Sequence, residues 1–426
     1  MLNKFDDIDR PPKNIVDDCV HCGFCLSACP TYIETGNELD SPRGRIYLMG
    51  SVLEEKIPLS ETVVEHLDKC LGCLACESAC PSGVEYRFLI EASRAQIERN
   101  FKRSVGDKLF RGMLFSILPY PKKLGRMLPF LYFYNKSGIR KLINSFGILK
   151  KLSSSIYRME QMIPKVDTIS VKSYPEVISP VNEKIHRVAL LTGCVQNVFF
   201  SSTNVSSINV LTKLGCEVVI PGEQTCCGAL SVHSGRLGEG RDFARKVVDL
   251  FSNLDVDAFI INSAGCGSTI KEYTHLLSQD EEYSEKARKL SGKTKDIMEF
   301  IEEIGIKQEF NDLNMKITYQ DACHVSHGQN IRSAPRNLLS KIPGLEIVEM
   351  KNSDTCCGSA GVYNILQPAL AEDILDKKIE NIENTDAECV VAGNPGCLLQ
   401  IQKGLREKNQ NLSIAHPIEI LDKALK

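Results

Sequence analysis

The second half of the chain alternates short apolar runs with longer amphipathic stretches. The runs RVALLTGC, EVVIPG and AFIINSAGC, and later KITYQDAC, LEIVEM and CVVAGNPGC, are typical of buried strands. Between them lie segments with helical periodicity, such as GEGRDFARKVVDLFSNL and LQPALAEDILDKKIENIEN. Strands that alternate with helices predict parallel α/β sheets, whose ligand sites lie beyond the carboxyl ends of the strands.

The first half is patterned for helices. GRIYLMGSVLEE and SETVVEHLDKC carry apolar residues at helical spacing, and Ser60 is a plausible N-cap of the second segment. Residues 101–158 then carry thirteen Lys or Arg against one acid, Asp107, interleaved with short apolar runs. This pattern is typical of helices on an anionic membrane surface, and equally of helices that pack on the protein or dock a partner subunit. Without a recognised binding motif, it does not favour nucleic acid.

Composition limits the class of protein. The 426 residues are enough for about three domains, and a net charge of -3 with 43% hydrophobic residues is ordinary for a globular protein. The N-terminal residues lack an apolar signal region, and no apolar stretch is long enough to span a bilayer. We therefore expect a cytoplasmic protein, with peripheral contact at the inner face of the cell membrane as the alternative. The 18 cysteines then indicate metal or redox chemistry rather than disulfides.

Two cysteine runs near the N-terminus share the spacing C-x2-C-x2-C-x3-C-P, which is the ligand pattern of bacterial two-cluster ferredoxins. In that pattern the fourth cysteine of each run binds the cluster of the other run. Structural zinc prefers two separated C-x2-C pairs, so it fits these compact runs poorly. We therefore assign Cys19, Cys22, Cys25 and Cys80 to one 4Fe-4S cluster, and Cys70, Cys73, Cys76 and Cys29 to a second.

The C-terminal part contains an internal repeat. Four cysteines recur at offsets of 129 to 131 residues, and each adjacent pair is followed by a glycine, Gly228 or Gly358. We call the two copies the first and second CCG modules. Adjacent thiols can reach one site only across a turn, which the glycine permits. Soft thiolates at one locus select iron-sulfur or zinc, so the candidates for additional cluster ligands are Cys194, Cys226, Cys227 and Cys266, and Cys323, Cys356, Cys357 and Cys397.

Several other residues have an ordinary structural interpretation. Cys216 and Cys389 do not match across the repeat, and buried packing thiols are the favoured interpretation. His233, His324 and His327 lie near the candidate cysteines and are expected to be hydrogen-bonded rather than ligands. Arg43 and Arg45 of DSPRGR are expected in a solvated loop, with contact to an anion or to another protein chain as the alternative.

The segments CVHCGFCLSACPTYIETGNELDSPRGRIYLM and HLDKCLGCLACESACPSGVEY, with the two CCG modules, closely resemble the iron-sulfur subunit of glycolate oxidase over nearly the whole chain. The resemblance implies a subunit that takes electrons from FAD-bearing partners oxidising glycolate or another 2-hydroxy acid, and passes them toward a membrane quinone. It also implies that the eight N-terminal cysteines are cubane ligands, and that substrate oxidation occurs on the partner. Heterodisulfide reductase modules end in C-x2-C, whereas Ser263 and Asn394 stand at those positions here.

The predicted architecture is a multidomain α+β protein. A mainly helical two-cluster ferredoxin domain (1–100) is followed by a basic, apolar helical linker (101–180) and by two pseudo-symmetric α/β CCG modules with parallel sheets (181–308 and 309–426). Three alternative functions remain. They are an electron carrier like the CCG-containing chain of anaerobic glycerol-3-phosphate dehydrogenase, a catalytic CCG protein like that of heterodisulfide reductase, and a zinc-stapled scaffold.

Overall fold

The N-terminal unit is helical. The computed structural model describes residues 3–146, 149, 157, 160–164, 166 and 168–426. Ser60 accepts a hydrogen bond from the Val63 N–H and caps its helix as predicted. Apolar residues on the inner faces, among them Met49, Leu67 and Leu89, form the core of the unit. The helices are α1 (Lys13–Asp17), α2 (Pro30–Thr35), α3 (Pro42–Leu53), α4 (Glu61–Asp68), α5 (Ala75–Ser78) and α6 (Tyr86–Asn100), with a 3-10 turn at Glu38–Asp40.

The basic segment folds into helices over residues 101–146 and packs on the body of the protein, whereas residues 147–148, 150–156 and 158 lie outside the described residues. Leu124 and Leu128 are buried in a small cluster with Val198 of the first module. Arg103 pairs with Asp68 at 2.7 Å, so part of the positive charge is neutralised within the protein. Among the described residues, no helix is long and apolar enough to cross a membrane. The helices are α7 (Val105–Ile117), α8 (Pro121–Gly125), α9 (Leu128–Lys136) and α10 (Ile139–Ser145).

The first module contains a five-stranded sheet in the order β1-β3-β2-β4-β5, in which β1 is antiparallel to β3 and the other pairs are parallel. Its strands are β1 (Val177–Ile178), β2 (His186–Leu191), β3 (Cys216–Val219), β4 (Ala258–Ile261) and β5 (Thr294–Asp296). Its helices are α11 (Val195–Phe199), α12 (Ser201–Lys213), α13 (Ala229–His233), α14 (Leu237–Phe251), α15 (Ala264–Lys271), α16 (Tyr273–Leu276), α17 (Ser284–Lys293) and α18 (Ile297–Ile304).

The second module contains a parallel four-stranded sheet in the order β7-β6-β8-β9, which repeats the β3-β2-β4-β5 order of the first. Its strands are β6 (Met315–Gln320), β7 (Leu345–Ile347), β8 (Cys389–Ala392) and β9 (Ser413–Ala415). Its helices are α19 (Cys323–Ser326), α20 (Ala334–Leu339), α21 (Tyr363–Leu366), α22 (Pro368–Glu383), α23 (Pro395–Glu407) and α24 (Pro417–Ala424).

The two modules share one hydrophobic core. Leu190 and Ile208 of the first module belong to the same buried cluster as Tyr319 and Leu421 of the second. The six predicted strands and the two predicted long helices are all present, and the predicted fold class is confirmed. The domain boundaries given above stay predictions.

Candidate functional site

The first ferredoxin site consists of Cys19, Cys22, Cys25 and Cys80. These four cysteines line one small cavity, beside the guanidinium of Arg43. Three of them come from the loop after α1, and the fourth follows α5. Burial raises the pKa of the Cys19 and Cys25 thiols. The Cys22 residue is exposed, so this site is close to solvent.

The second ferredoxin site consists of Cys70, Cys73 and Cys76 with Cys29 from the other run. These four cysteines line a second cavity. Cys76 also lines the cavity of the first site, which makes the two sites neighbours. The structure thus brings together the two crossed sets that the spacing predicts, although their role as cluster ligands stays a prediction.

Both ferredoxin loops have the same unusual backbone conformation. Positive φ angles occur two and four residues after the first cysteine of each run: 54° at His21 and 87° at Gly23, and 63° at Gly72 and 64° at Leu74. Such alternation turns backbone N–H groups toward one side and creates an anion-binding concavity. The Gly72 N–H donates to the Cys70 sulfur at 3.3 Å. The loops therefore present donors to negatively charged sulfur.

Arg45 is a buried cation beside the second ferredoxin site, and the expectation of a solvated loop was wrong for this residue. It lies on α3 and donates to the His66 carbonyl at 2.7 Å and to the Thr31 hydroxyl at 3.0 Å. Burial alone would lower the pKa of Arg45, but the thiols of Cys70 and Cys29 raise it overall. Burial would also raise the pKa of Cys70, yet the nearby guanidinium lowers it. A fixed positive charge here complements a negatively charged thiolate group.

The first module gathers its four matched cysteines at the carboxyl ends of its strands. Cys194 follows β2, and its sulfur is 3.6 Å from that of Cys226. The Cys227 thiol lies close to those of Cys226 and Cys266, and these neighbours together with burial raise the Cys227 pKa. The four residues therefore form one continuous thiol site.

The second module repeats this arrangement. The Cys356 thiol lies close to those of Cys323 and Cys357, and these neighbours together with burial raise its pKa. Cys357 is likewise a close neighbour of Cys397. The glycine after each cysteine pair has a positive φ, 84° at Gly228 and 83° at Gly358, as the turn requires. Cys216 and Cys389 are instead buried in the shared core, consistent with a packing role.

Both module thiol sites face one cavity of about 740 Å³, which we call the central cavity. The second ferredoxin site adjoins the same region: Cys73 and Cys323 pack against one small apolar cluster, and burial together with the nearby Cys323 raises the Cys73 pKa. Leu71 packs against Cys356 in a small apolar cluster, and the Tyr363 hydroxyl donates to the Lys69 carbonyl at 2.9 Å. The thiol sites therefore form a continuous series from the protein surface to the cavity.

The three histidines lie near the cavity and have ordinary partners. The Nδ1 atom of His233 is 2.8 Å from the Glu91 carboxylate, and that of His327 is 2.9 Å from the Ser78 hydroxyl. His324 lies over His233 with ring centroids 4.9 Å apart, and its Nδ1 is 3.6 Å from the Cys323 sulfur. The expectation of hydrogen-bonded histidines agrees with these contacts.

Sequence reasoning missed Lys378. This residue is 2% exposed, and burial lowers its pKa to about 8. Its ammonium group donates to the Asn352 carbonyl at 2.6 Å, near Cys356 and Cys357. The helical pattern could have shown that Lys378 is buried, because it falls on the apolar face of α22 with Ile374, Leu375, Ile379 and Ile382.

The residues fit iron-sulfur groups chemically. Each ferredoxin site offers four soft thiolates, and backbone N–H groups and Arg45 supply positive potential. Within the described part of the chain, no three His, Cys, Asp or Glu side chains are grouped closely enough to hold a single metal ion. A cubane attaches each thiolate to a different iron, so its ligands stand further apart than the ligands of a single metal ion.

Three protein families match successive parts of the chain. The family described as "4Fe-4S dicluster domain" matches residues 15–84, and "Cysteine-rich domain" matches residues 188–271 and 317–402. The family "Glycolate oxidase iron-sulfur subunit, linker region" matches residues 106–163, which include most of the basic segment.

Relatives match over nearly the full length. The chain is 39% identical to the "Probable glycolate oxidase iron-sulfur subunit" of Bacillus subtilis, over 94% of this chain and 91% of the relative. It is 32% identical to the "Glycolate oxidase iron-sulfur subunit" of Escherichia coli, over 97% and 95%. "Lactate utilization protein A" of Bacillus subtilis matches 55% of this chain at 30% identity, over 99% of that protein. The chain therefore belongs to the glycolate oxidase iron-sulfur subunit family.

Proposed function

We propose that this protein is the electron-transfer subunit of an FAD-linked glycolate or 2-hydroxy acid oxidase complex. Two 4Fe-4S clusters are held by the two ferredoxin sites, and further iron-sulfur groups are held by the module thiol sites. Substrate oxidation takes place on the flavin partner, and electrons pass through this chain toward a quinone. The observation that carries the proposal is the crossed arrangement of the eight N-terminal cysteines, in a chain that matches its relatives almost end to end.

The exposure of the first ferredoxin site supports a direction for electron flow. Cys22 is exposed at the first ferredoxin site, between the exposed apolar side chains of Val20 and Phe24. Exposed apolar residues beside a redox centre are suited to a protein contact. Electrons therefore enter from the flavin partner at the first site, pass to the second, and reach the module sites where Cys73 and Cys323 pack against the same small apolar cluster.

The proposal is tested by anaerobic purification of the complex, followed by iron, sulfide and flavin quantitation. We expect iron and acid-labile sulfide in this chain and flavin only in its partner. The separated chain should not oxidise glycolate with an artificial acceptor, whereas the complex should. Glycolate turnover by the separated chain would disprove the division of labour, and an iron-free preparation that still transfers electrons would disprove the whole proposal.

The outer face of the linker supports peripheral membrane contact. Leu109, Phe130 and Phe133 are exposed on the linker helices, as are Lys122 and Lys123. Basic residues near an anionic surface contribute about 1 kcal/mol each, and exposed apolar residues add burial energy. The double variant Phe130→Glu/Phe133→Glu should lose cosedimentation with anionic vesicles, while an alanine double variant should lose it only partly. Unchanged binding by the glutamate variant would contradict this contact.

A catalytic role for the CCG modules is the second candidate. It is favoured by one observation, namely that both four-thiol sites face a common cavity large enough for a small molecule. In that case the complex would reduce a disulfide, and Cys226→Ala or Cys356→Ala would abolish the activity. Disulfide reduction that survives both substitutions would exclude this candidate.

A further inference from the structure

The central cavity has a floor and a roof of different chemistry. Its volume of about 740 Å³ falls within the usual range for small-molecule sites, roughly 300–1,000 Å³. The floor carries the thiols of both modules. The roof is formed by linker residues, among them Leu114, Leu118, Leu124 and Leu131. Leucine side chains offer no metal ligand, so the roof is suited to an apolar molecule rather than to an iron-sulfur group.

The mouth of the cavity opens among exposed apolar side chains. Met113 and Met127 line the cavity and are also 46% and 40% exposed. Phe130, on the neighbouring turn of α9, is 78% exposed. Residues 121–136 carry four Lys or Arg and no acid. An apolar opening within a basic segment is suited to an anionic lipid surface, so a ligand could enter directly from lipid.

Three residues that line the cavity have a polar atom without a hydrogen-bond partner among the described groups: Gln196 Oε1, His324 Nε2 and Asn364 Oδ1. Buried polar atoms left unpaired cost free energy, and such exceptions often mark a ligand site. Side-chain amides can present either a donor or an acceptor. The cavity can therefore hydrogen-bond a ligand that has carbonyl or hydroxyl groups on an otherwise apolar frame.

From these features we infer that the central cavity binds the head group of a lipid-soluble quinone, with its apolar tail leaving past Met113 and Met127. A quinone combines an apolar ring, two carbonyl oxygens and a lipid-soluble tail, and the cavity offers a matching surface for each. The inference rests on the proposed function, because the thiol floor is useful to such a ligand only if it carries electrons. It locates the electron acceptor inside this chain, under the linker helices.

Binding is tested with the complete complex, purified anaerobically, and a short-chain quinone that carries a photoreactive azido group. We expect saturable labelling of peptides between residues 113 and 131. Met127→Trp narrows the mouth and should weaken quinone binding at least about tenfold, because an overfilled site rejects its ligand. Phe130→Trp is the matched control, since that side chain lies outside the cavity lining. Leu118→Trp fills the roof at a second point and should act like Met127→Trp.

Two further readouts separate this inference from the proposed function. Iron and sulfide content, and glycolate-dependent reduction of a soluble dye, should be unchanged in Met127→Trp and Phe130→Trp. Two results would overturn the quinone site and leave the proposed function intact, provided that dye reduction is normal. One is undiminished quinone binding in both Met127→Trp and Leu118→Trp. The other is labelling confined to peptides outside residues 113–131. A wild-type complex that contains no iron and does not reduce the dye would instead overturn the proposed function.

Discussion

The two CCG modules have the same strand order and the same four-thiol arrangement, but their thiols lie in different surroundings. The second-module site adjoins the second ferredoxin site, through Cys73 beside Cys323 and Leu71 beside Cys356. The first-module site packs instead against Tyr120 of the linker, in a cluster with Phe243. Duplication has therefore produced one thiol site that adjoins the ferredoxin unit and another that packs beside the linker.

The charges around the two sites also differ. Lys378 lies near the second-module thiols, whereas the first-module position at the same offset as Cys266 and Cys397 is Val247. Val247 is 1% exposed and packs in the apolar core of its module. The second module thus has a buried cation where the first has a hydrocarbon side chain.

Exchanging these two residues gives the largest expected effect on stability. Val247→Lys places an ammonium group in a core without a partner and should cost roughly 3 kcal/mol of unfolding free energy. Lys378→Met keeps the side-chain volume and should change stability by no more than about 1 kcal/mol, because a buried ionic group replaced by an apolar one is often neutral.

The measurement is thermal unfolding of both variants at one pH, with Val247→Met as the volume control for the first module. If Val247→Lys unfolds at the wild-type temperature, the first module tolerates charge as well as the second, and the asymmetry between them has no energetic basis.

Breaking one thiol site at a time tests which module receives the electrons. Cys357→Ser should lower glycolate-dependent quinone reduction by about 100-fold, on the scale seen when metal-site groups are removed. Cys227→Ser should have a smaller effect, because both module sites face the central cavity and the second-module site, which is reached first, can pass electrons directly to a quinone bound there. Cys216→Ser, in the shared core, controls for the loss of a thiol as such. Equal losses in the two module variants would contradict the proposed order.

Much of this comparison was accessible from the sequence. The repeat of cysteines and glycines predicted two similar modules, and apolar runs predicted six of the nine strands in the described residues. The short strands β1, β5 and β9 were missed, since two or three residues such as TKD do not form a recognisable pattern.

The surroundings of the thiols were less predictable, because they depend on which distant segments pack together. Spacing within a run indicated the ferredoxin loops, but not that Arg45 would be buried beside one of them. Likewise, nothing in the linker sequence indicated that Leu114 and Leu124 would cover both module sites. Its short apolar runs were recognised, with packing on the protein as one interpretation, and only the structure shows which residues they contact.

Two buried tyrosines show a further difference between the modules, namely which part of the protein each tyrosine hydroxyl bonds to. The Tyr363 hydroxyl of the second module donates to the Lys69 carbonyl in the ferredoxin unit, at 2.9 Å. The Tyr273 hydroxyl of the first module donates to the Cys227 carbonyl within its own module, at 2.5 Å. Tyr363→Phe should therefore cost about 1 kcal/mol, the usual value for one hydrogen bond, and loosen the contact between units.

Limited proteolysis is the measurement for this variant. Tyr363→Phe should speed cleavage between the ferredoxin unit and the modules, whereas Tyr273→Phe should lower the unfolding temperature without that cleavage. Identical cleavage patterns in both variants would show that the Tyr363 contact does not hold the units together.

The last helix of each module begins at a buried N-cap, and here the modules have opposite acid-base chemistry. Asp296 accepts from the Met298 N–H in the first module, and His416 accepts from the Ile418 N–H in the second. Burial raises the pKa of Asp296 to about 6, whereas burial lowers that of His416 to about 3.

These shifts predict compensating pH dependences of stability. His416 is held neutral in the folded protein, so the unfolded chain binds more protons and stability is lost as the pH falls through about 6.5. Between pH 7 and pH 6 this loss amounts to about 0.7 kcal/mol. Asp296 takes up its proton more readily in the folded protein, so its contribution to the free energy of unfolding rises by about half that amount over the same interval.

Urea unfolding at pH 7 and pH 6 should separate the two effects. His416→Asn keeps a capping oxygen and removes the titration, so this variant should lose less stability on acidification than the wild type. Asp296→Asn removes the opposite contribution and should lose more. If the two variants show the same pH dependence, then the caps titrate alike despite their different chemistry, and the contrast between the modules does not extend to their last helices.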